Sequence, residues 1–258
     1  MSEDLPFKNK IVLVTGSGRG IGRTIAMHFA RNGADVVINF FRNRHSAEET
    51  MHAVEAYGHH ALLVKADMGN LDNIDQLFAE VERTFGVLDI LVNNAASGYN
   101  RPAMQQRPKG WEWTMNINAR SLLFATQRAV PLMEKQGGGA IVSITSPGSS
   151  RVLPDYVVVG ASKAALESLT RYLAVELAPR NISVNAVSPG IVETDALKHF
   201  KTLAGGNVSP NATLSTPAGR LVTPEDIAGV VAFLCTPAAG MIRGQVIVVD
   251  GGYTLLAM

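Results

Sequence analysis

A tyrosine and a lysine with six residues between them, Tyr156 and Lys163, are the pair in this chain best suited to chemistry. A phenol can donate a hydrogen bond to a substrate oxygen that gains negative charge, and a nearby ammonium assists that donation. On an ideal helix, offsets of four and of seven residues return to nearly the same face, but the rise is roughly 6 Å for four and roughly 10.5 Å for seven. The spacing therefore predicts a phenol about one turn further from the lysine. Pro154 and Gly160 make this displacement an upper value, because both disfavour regular helix around the tyrosine.

A glycine-rich turn follows the first apolar run of the chain. Ile11–Val14 leads directly into Thr15-Gly-Ser-Gly-Arg-Gly-Ile-Gly22, which opens an amphipathic helical pattern. Glycines let the backbone approach a pyrophosphate, and a helix N-terminus offers N–H groups and the positive end of a dipole. This context predicts a dinucleotide site, the alternative being a tight turn that binds nothing. The predicted contacts in the turn are Gly16, Ser17, Arg19, Gly20, Ile21 and Gly22.

The end of the second apolar run indicates which dinucleotide is bound. Val37–Arg42 contains no carboxylate, whereas an NAD-preferring site usually has one there to accept from the ribose 2′-OH. Arg19 and Arg42 are suited to flank a 2′-phosphate, so NADPH is predicted; the alternative is that both are merely solvated. Asp67 is predicted to accept from the adenine amino group, and its alternative role is a helix cap. The remaining predicted cofactor contacts are Met68, Asn94, Tyr156, Lys163, Ile191 and Thr194.

The elements that must position these residues alternate along the chain. Short Val/Ile-rich runs with little polar alternation are typical of parallel strands covered on both faces, and amphipathic stretches lie between them. The pattern predicts an α/β fold, a Rossmann-like doubly wound parallel sheet of about seven strands, in a single domain over residues 1–258. The predicted strands are Ile11–Val14, Asp35–Asn39, Ala61–Lys65, Leu88–Asn93, Ala140–Ser146, Ile182–Val187 and Gln245–Val249. The predicted helices are Gly20–Asn32, Ala47–Tyr57, Leu71–Phe85, Trp111–Gln136, Tyr156–Ala178 and Pro224–Leu234.

Composition narrows the class of protein. The chain has 258 residues and a net charge of +1, which does not suggest nucleic-acid binding. No apolar run approaches the roughly 20 residues of a membrane span, and the polar N-terminus has no apolar signal-peptide core. The single cysteine, Cys235, fits a reducing compartment, so a cytoplasmic protein is expected. No metal site is predicted.

The motifs together resemble those of short-chain dehydrogenases/reductases. They are Thr15–Gly22, Asn93-Asn-Ala-Ala96, Asn118, the Tyr156/Lys163 pair and Ser188-Pro-Gly190, and the likeness covers essentially the whole chain. Most members of that family place three residues between the tyrosine and the lysine. The six-residue gap resembles the bacterial enoyl-acyl-carrier-protein reductases, above all their NADPH-dependent third type. That resemblance implies reduction of the C2–C3 double bond of a trans-2-enoyl thioester, in which hydride goes to C3 while the carbonyl is at C1.

The resemblance implies a role for each of four residues. Tyr156 would donate to the thioester oxygen, and Lys163 would supply a positive field while donating to the nicotinamide ribose. Ser146 would donate to the substrate carbonyl, unless it is only a turn serine beside Pro147. Asn118 would support a helix distortion or hold a water, unless it faces solvent. Because a serine at position 146 and Ser188-Pro-Gly190 also occur in ketoreductases, a ketone substrate stays an alternative; a cofactor-binding protein without catalysis is a third.

Expectations about partners concern the surface and the late part of the chain. The segment at about 191–220 is predicted to be a substrate loop or lid, and its apolar residues Leu197, Phe200, Leu203 and Leu214 an acyl tunnel or a packed helix face. The carrier is expected to be an acyl carrier protein, which is acidic. Its candidate docking residues are Lys198, Lys201, Arg101, Arg107 and Lys109. Family resemblance implies a homotetramer, for which the apolar ending Tyr253–Met258 would suit an interface.

Overall fold

The computed structural model describes residues 5–192 and 216–256. Within them, seven parallel strands form one sheet in the order β3-β2-β1-β4-β5-β6-β7. The doubly wound α/β fold is therefore confirmed. The strands are β1 Ile11–Val14, β2 Asp35–Phe40, β3 Ala61–Lys65, β4 Ile90–Asn93, β5 Gly139–Ile144, β6 Ile182–Pro189 and β7 Val246–Val249.

Helices cover both faces of the sheet, so the strands are buried on two sides. The helices are α1 Gly20–Arg31, α2 Arg44–Glu55, α3 Leu71–Phe85, α4 Pro108–Met115, α5 Ser121–Glu134, α6 Val157–Leu177 and α7 Pro224–Leu234. Residues of α1, α2 and α7 contribute to one buried apolar cluster, and residues of α3, α5 and α6 contribute to the other. Successive strand residues enter opposite clusters, as with Leu13 and Val14 of β1. This explains why the strands read as continuous apolar runs.

The long helix predicted at Trp111–Gln136 is not one regular helix. Between α4 and α5, residues Asn116–Arg120 form a π-helical turn. A π-helical turn carries an extra residue within a helix and is frequent at functional sites. The predicted helix therefore contains a distortion, as the poor helix former Asn118 indicated, but its form was not predictable because apolar periodicity does not reveal a one-residue insertion.

Three other features differ from, or add to, the sequence expectations. Helix α6 begins at Val157, with Tyr156 as its N-cap, and β5 ends at Ile144, so Ser146 lies beyond the strand and not within it. Cys235, at the end of α7, packs against one core cluster. None of the helices in the described ranges is long and apolar enough to cross a membrane.

Candidate active site

A cleft of about 850 Å³ opens at the carboxyl ends of the strands. In parallel α/β sheets this is the edge at which ligands bind. Of the residues predicted to bind cofactor or act in catalysis, thirteen line it. They are Gly16, Arg19, Gly20, Ile21, Gly22, Arg42, Asp67, Met68, Asn94, Ser146, Tyr156, Lys163 and Ile191. The structure thus brings together residues from seven separate segments of the chain.

The glycine-rich turn fits a pyrophosphate because side chains are excluded from it. Gly16 has φ +64°, and a Cβ there would lie 2.9 Å from the Cα of Ala95. A Cβ on Gly22 would lie 2.4 Å from Nδ2 of Asn94, the atom that donates to the carbonyls of Thr15 and Gly16. Backbone and amide therefore occupy the space that any side chain would need.

The N-terminus of α1 is available to an anion. The N-cap, Arg19, has extended backbone, its side chain does not cap the helix, and the first turn carries no acidic residue. The first N–H groups and the positive dipole end therefore face the cleft without a competing carboxylate. Ser17 is an exception among the predicted contacts. It is fully buried, and its hydroxyl donates to the carbonyl of Val14, so the structure places its side chain away from the cleft.

The end of β2 has no carboxylate facing the cleft. Asn39 is buried there and holds the glycine turn, since its Oδ1 accepts from the N–H of Gly16 at 3.1 Å. Arg42 follows as an exposed residue, and its Cζ lies 5.9 Å from the ring centroid of Phe41 and 6.0 Å from that of Trp113. The guanidinium therefore lies within cation–π distance of two aromatic rings that line the cleft.

Asp67 borders the same end of the cleft as a half-buried residue. Its Oδ1 accepts from the N–H of Gly69 at 2.8 Å. It is not the cap of α3, because Asn70 is, with its side chain accepting from the N–H of Asn73. The alternative role considered for Asp67 is thereby excluded.

A tight turn places Tyr156 at the start of α6. The N–H of Tyr156 donates to the carbonyl of Leu153, and Asp155 between them has φ +59°. Proline at the second position and a positive φ at the third are the marks of a type II turn. The carbonyl of Asp155 accepts from the N–H of Arg101 at 2.8 Å, so the turn is also tied to the loop after β4.

Tyr156 and Ser146 meet at the mouth of the cleft. The Tyr156 Oη lies 3.3 Å from the Ser146 Oγ, and either hydroxyl can be the donor. Ser146 is also the N-cap of the 3₁₀ turn Pro147–Ser149, with its Oγ accepting from the N–H of Gly148 at 3.2 Å. Ser146 therefore has the turn role considered in the sequence analysis, and its hydroxyl also lies beside the phenol, where donation to a substrate carbonyl stays a prediction.

Lys163 is anchored to the end of β5. Its side chain is buried, with the residue 5 % exposed, and its Nζ donates to the carbonyl of Ile144 at 2.8 Å. Burial lowers the pKa of Lys163 to about 8, and the negative charge of Glu167 acts against that change. The ammonium is therefore largely protonated at neutral pH.

The pKa of Tyr156 is raised above its ordinary value. Burial is the main cause, because it disfavours the phenolate, while the hydrogen bond with Ser146 acts in the opposite direction. The consequence is a tyrosine that keeps its proton and can serve as a hydrogen-bond donor.

The π-helical turn aims Asn118 into the protein. Asn118 is 2 % exposed; its Oδ1 accepts from the N–H of Ser97, and its Nδ2 donates to the carbonyl of Ser97 and to the Oγ of Ser162. It does not face solvent and does not line the cleft. Instead it ties the loop after β4 to the residue beside Lys163, as the predicted support for a helix distortion.

Sequence reasoning missed several residues of the site. Trp113 stands beside Arg42 in the cleft, but in the sequence it reads only as part of a helix pattern. Glu167 is one helical turn after Lys163, a spacing that could have identified it. Arg107 and Lys109 are exposed, whereas Arg101 is half-buried with its Cζ 5.4 Å from the ring centroid of Tyr99. Several predicted residues lie outside the described ranges, namely Thr194, Leu197, Lys198, Phe200, Lys201, Leu203 and Leu214.

The chain is similar to known reductases over nearly its whole length. A family model described as Enoyl-(Acyl carrier protein) reductase matches residues 16–254. The 1-cyclohexenylcarbonyl-CoA reductase of Streptomyces collinus is 38 % identical over 250 residues, covering 97 % of this chain and 89 % of the relative. A solved L-sorbose reductase from Gluconobacter frateurii, complexed with NADPH and L-sorbose, superposes with a TM-score of 0.90 at 30 % identity, covering 98 % of this chain and 100 % of that one.

A solved 7 alpha-hydroxysteroid dehydrogenase, complexed with NADH and a 7-oxo bile acid, has a TM-score of 0.89 at 34 % identity, covering 98 % of this chain and 97 % of that one. The family model and the relative match nearly the whole chain, and the two solved structures share its fold over nearly their whole length. The chain belongs to the short-chain dehydrogenase/reductase family of oxidoreductases.

Proposed function

We propose that this protein uses NADPH to reduce the C2–C3 double bond of a trans-2-enoyl thioester. The observation that carries the proposal is the place of the tyrosine. Tyr156 forms the N-cap of α6 and borders the cleft, seven residues before Lys163. Val159 occupies the position four residues before Lys163, where most family members have their tyrosine, and it is buried. A phenol displaced in this way suits a carbonyl oxygen that lies two carbons from the carbon receiving hydride.

The environment of the tyrosine suits an enolate. NADPH, when bound, supplies the hydride that is added at C3, and negative charge then develops on the thioester oxygen. Tyr156, which burial keeps protonated, donates a hydrogen bond to that oxygen. The ammonium of Lys163 favours the same charge, and Ser146 orients the phenol through the 3.3 Å contact. The enolate then takes up a proton at C2 from solvent, which completes the addition of one hydride and one proton across the double bond.

Two arginines support NADPH over NADH. Arg19 occupies the N-cap position of α1 and Arg42 follows β2, and both line the cleft. The end of β2 carries Asn39, an amide engaged with the glycine turn, and no carboxylate that would repel a 2′-phosphate. One of the two solved structures is named with NADPH and the other with NADH, so these names do not distinguish the cofactors. The preference for NADPH is therefore proposed from the two arginines.

The Streptomyces collinus relative supports the enoyl substrate. Its name describes a thioester whose carbonyl is conjugated to a ring double bond, which is the same reacting group as in an enoyl thioester. The description of the matching family model is consistent with this substrate. We further propose that an acyl carrier protein presents the substrate, with Arg107 and Lys109 among the basic residues that contact it, and that the protein is a homotetramer. The exposed apolar side chains of Val248 and Leu255 support a C-terminal interface.

A ketoreductase of the same fold is the second candidate. The observation that favours it is Ser146, whose hydroxyl lies beside the phenol where a second donor to a ketone oxygen would be useful. The bile-acid and sorbose relatives are named for carbonyl or alcohol substrates of that kind.

The deciding assay follows NADPH absorbance with crotonyl and longer enoyl thioesters and, in parallel, with acetoacetyl thioesters. We expect turnover of the enoyl compounds to saturated products that mass spectrometry identifies. Tyr156→Phe should lower kcat by about 10²–10⁴, the usual contribution of a positioned donor, while Tyr172→Phe, an exposed tyrosine on the same helix, should not change it. Turnover of the keto compounds alone would overturn the proposal in favour of a ketoreductase. NADPH binding without any turnover would instead indicate a protein that binds the cofactor without catalysis.

A further inference from the structure

Three consecutive residues at the end of β5 contact three different side chains of α6 and its N-cap. The contacts are Lys163 Nζ to the carbonyl of Ile144 at 2.8 Å, Thr145 Oγ1 to Glu167 Oε1 at 2.8 Å, and Tyr156 Oη to Ser146 Oγ at 3.3 Å. The first and third of these contacts belong to the chemistry proposed above. The middle contact has no part in that chemistry.

Thr145 is hydrogen-bonded to β6 through its backbone and to α6 through its side chain. It is 4 % exposed, its N–H donates to the carbonyl of Val187 at 2.8 Å, and its hydroxyl donates to Glu167. Because Thr145 sits between Ile144 and Ser146, fixing it also fixes the carbonyl that anchors the lysine and the hydroxyl that meets the phenol. A hydrogen bond to an ionised acceptor is about twice as strong as a neutral one, so a carboxylate is well suited to this task.

Glu167 also faces the lysine. It lies four residues after Lys163, on the same side of α6, and it is half-buried. Among the described residues, it is the charged group found to act on the pKa of Lys163. The elements packed against this part of α6 contribute uncharged groups: β5 the Ile144 carbonyl, and the π-helical turn the Asn118 amide. Tyr156 is the other titratable group at the site.

Other charged side chains on the neighbouring elements point elsewhere. Arg120 of the π-helical turn donates to the carbonyl of Gly69. Strand β6 and the 3₁₀ turn at Pro147–Ser149 have no charged residues. The charged residues of α4 and α5 are exposed, namely Lys109, Glu112, Arg128 and Glu134.

We propose that Glu167 is a positioning residue of this site, which holds Thr145 in register and places a negative charge opposite the buried ammonium of Lys163. The proposal deepens the proposed function and rests on the role given there to Lys163. It assigns two separable tasks to one carboxylate, a hydrogen bond and a charge. Each task can be removed by a different substitution.

The charge task has a defined pH signature. Lys163 must be protonated to stabilise the developing oxyanion, and Glu167 raises its pKa against the effect of burial. Glu167→Gln keeps an acceptor for Thr145 but removes the charge, so the pKa of Lys163 should fall below its value of about 8. The alkaline limb of the kcat/KM profile should then move to lower pH, with little change in KM for NADPH.

The hydrogen-bond task is tested at Thr145. Thr145→Val keeps the shape but removes the hydroxyl, and kcat should fall about tenfold at all pH values, which corresponds to about 1.4 kcal/mol. Thr145→Ser keeps the hydroxyl and should restore most of that loss. Glu176→Gln is the matched control, because it removes an exposed carboxylate from the same helix and should leave the profile unchanged.

A second readout separates this proposal from the proposed function. The protonation of Lys163 can be followed by NMR of protein labelled with ¹³C at the lysine Cε, with the resonance assigned by its loss in Lys163→Arg. This measurement needs no turnover, so it remains informative even if enoyl thioesters prove not to be substrates. A lower lysine pKa in Glu167→Gln and an unchanged one in Glu176→Gln would support the proposal. An unchanged lysine pKa in Glu167→Gln, or full activity in Thr145→Val, would overturn it.

Discussion

Replacing Asp155 with valine tests how the protein sets the position of its tyrosine. Asp155 has φ +59° at the third position of the turn that ends at Tyr156. Aspartate and asparagine tolerate this left-handed backbone because their short polar side chains can bond locally, whereas a β-branched side chain does not. Asp155→Val therefore strains the turn without touching the residues of the glycine-rich end.

The size of the effect follows from that backbone angle. A left-handed conformation costs a residue with a Cβ roughly 1–2 kcal/mol. If the turn keeps its shape, this cost should appear as a fall in Tm of about 2–8 °C, since 1 kcal/mol corresponds to about 2–4 °C in a protein of this size. Because Asp155 is exposed, we expect the turn to relax instead and to move the phenol. A displacement of about 1 Å can reduce kcat about a hundredfold.

The assay compares four proteins by kcat, KM for NADPH and Tm. Asp155→Val should lower kcat about tenfold to a hundredfold, with KM for NADPH nearly unchanged. Asp155→Asn and Asp155→Gly both accept a positive φ and should retain activity. The asparagine variant also separates backbone shape from charge, because it removes the carboxylate alone. Loss of activity in Asp155→Asn, or normal kcat and Tm in Asp155→Val, would refute the reasoning.

Three further predictions concern the cofactor end. Arg42→Ala should raise KM for NADPH about tenfold to a hundredfold and leave KM for NADH nearly unchanged, because it removes charge-assisted hydrogen bonds to the 2′-phosphate; equal effects on the two cofactors would contradict the assignment. Trp113→Leu should weaken NADPH binding about two- to fivefold by releasing the guanidinium of Arg42, while Trp111→Leu, on the same helix but outside the cleft, should not, and both can be read by isothermal titration. Gly22→Ala should abolish NADPH binding because its Cβ would collide with an amide 2.4 Å away, whereas Gly229→Ala, which meets nothing within 4 Å, should bind normally; a Gly22→Ala protein that retains affinity would show that the turn can yield.

Much of the fold could be predicted because most strands are buried on both faces and most helices on one. Buried strands read as continuous apolar runs and amphipathic helices as a period of about 3.6 residues. The predicted bounds therefore match β1 at both ends and β5 to within two residues. The location of the site was also predictable, because the carboxyl ends of parallel strands meet at one edge of the sheet, where ligands bind.

What the sequence could not supply depended on contacts between distant segments. The π-helical turn at Asn116–Arg120 leaves no mark in apolar periodicity, and the raised pKa of Tyr156 reflects burial by neighbours remote in sequence. The partnership of Thr145 with Glu167 spans 22 residues and needs the packing of α6 on β5 to exist. Trp113 likewise acquires its role only when α4 is placed beside Arg42.

The π-helical turn has a consequence for how this protein tolerates a deletion during evolution. Such a turn holds one residue more than an α-helix of the same length, so losing one residue between 116 and 120 would leave α4 and α5 in phase. The core contacts of both helices would survive that deletion, and the fold with them. The inward amide of Asn118, with its bonds to Ser97 and Ser162, would not. A single-residue deletion here would thus leave a well-folded protein whose active site has lost the hydrogen bonds of Asn118. The number of residues between α4 and α5 should therefore distinguish active from inactive versions of this chain.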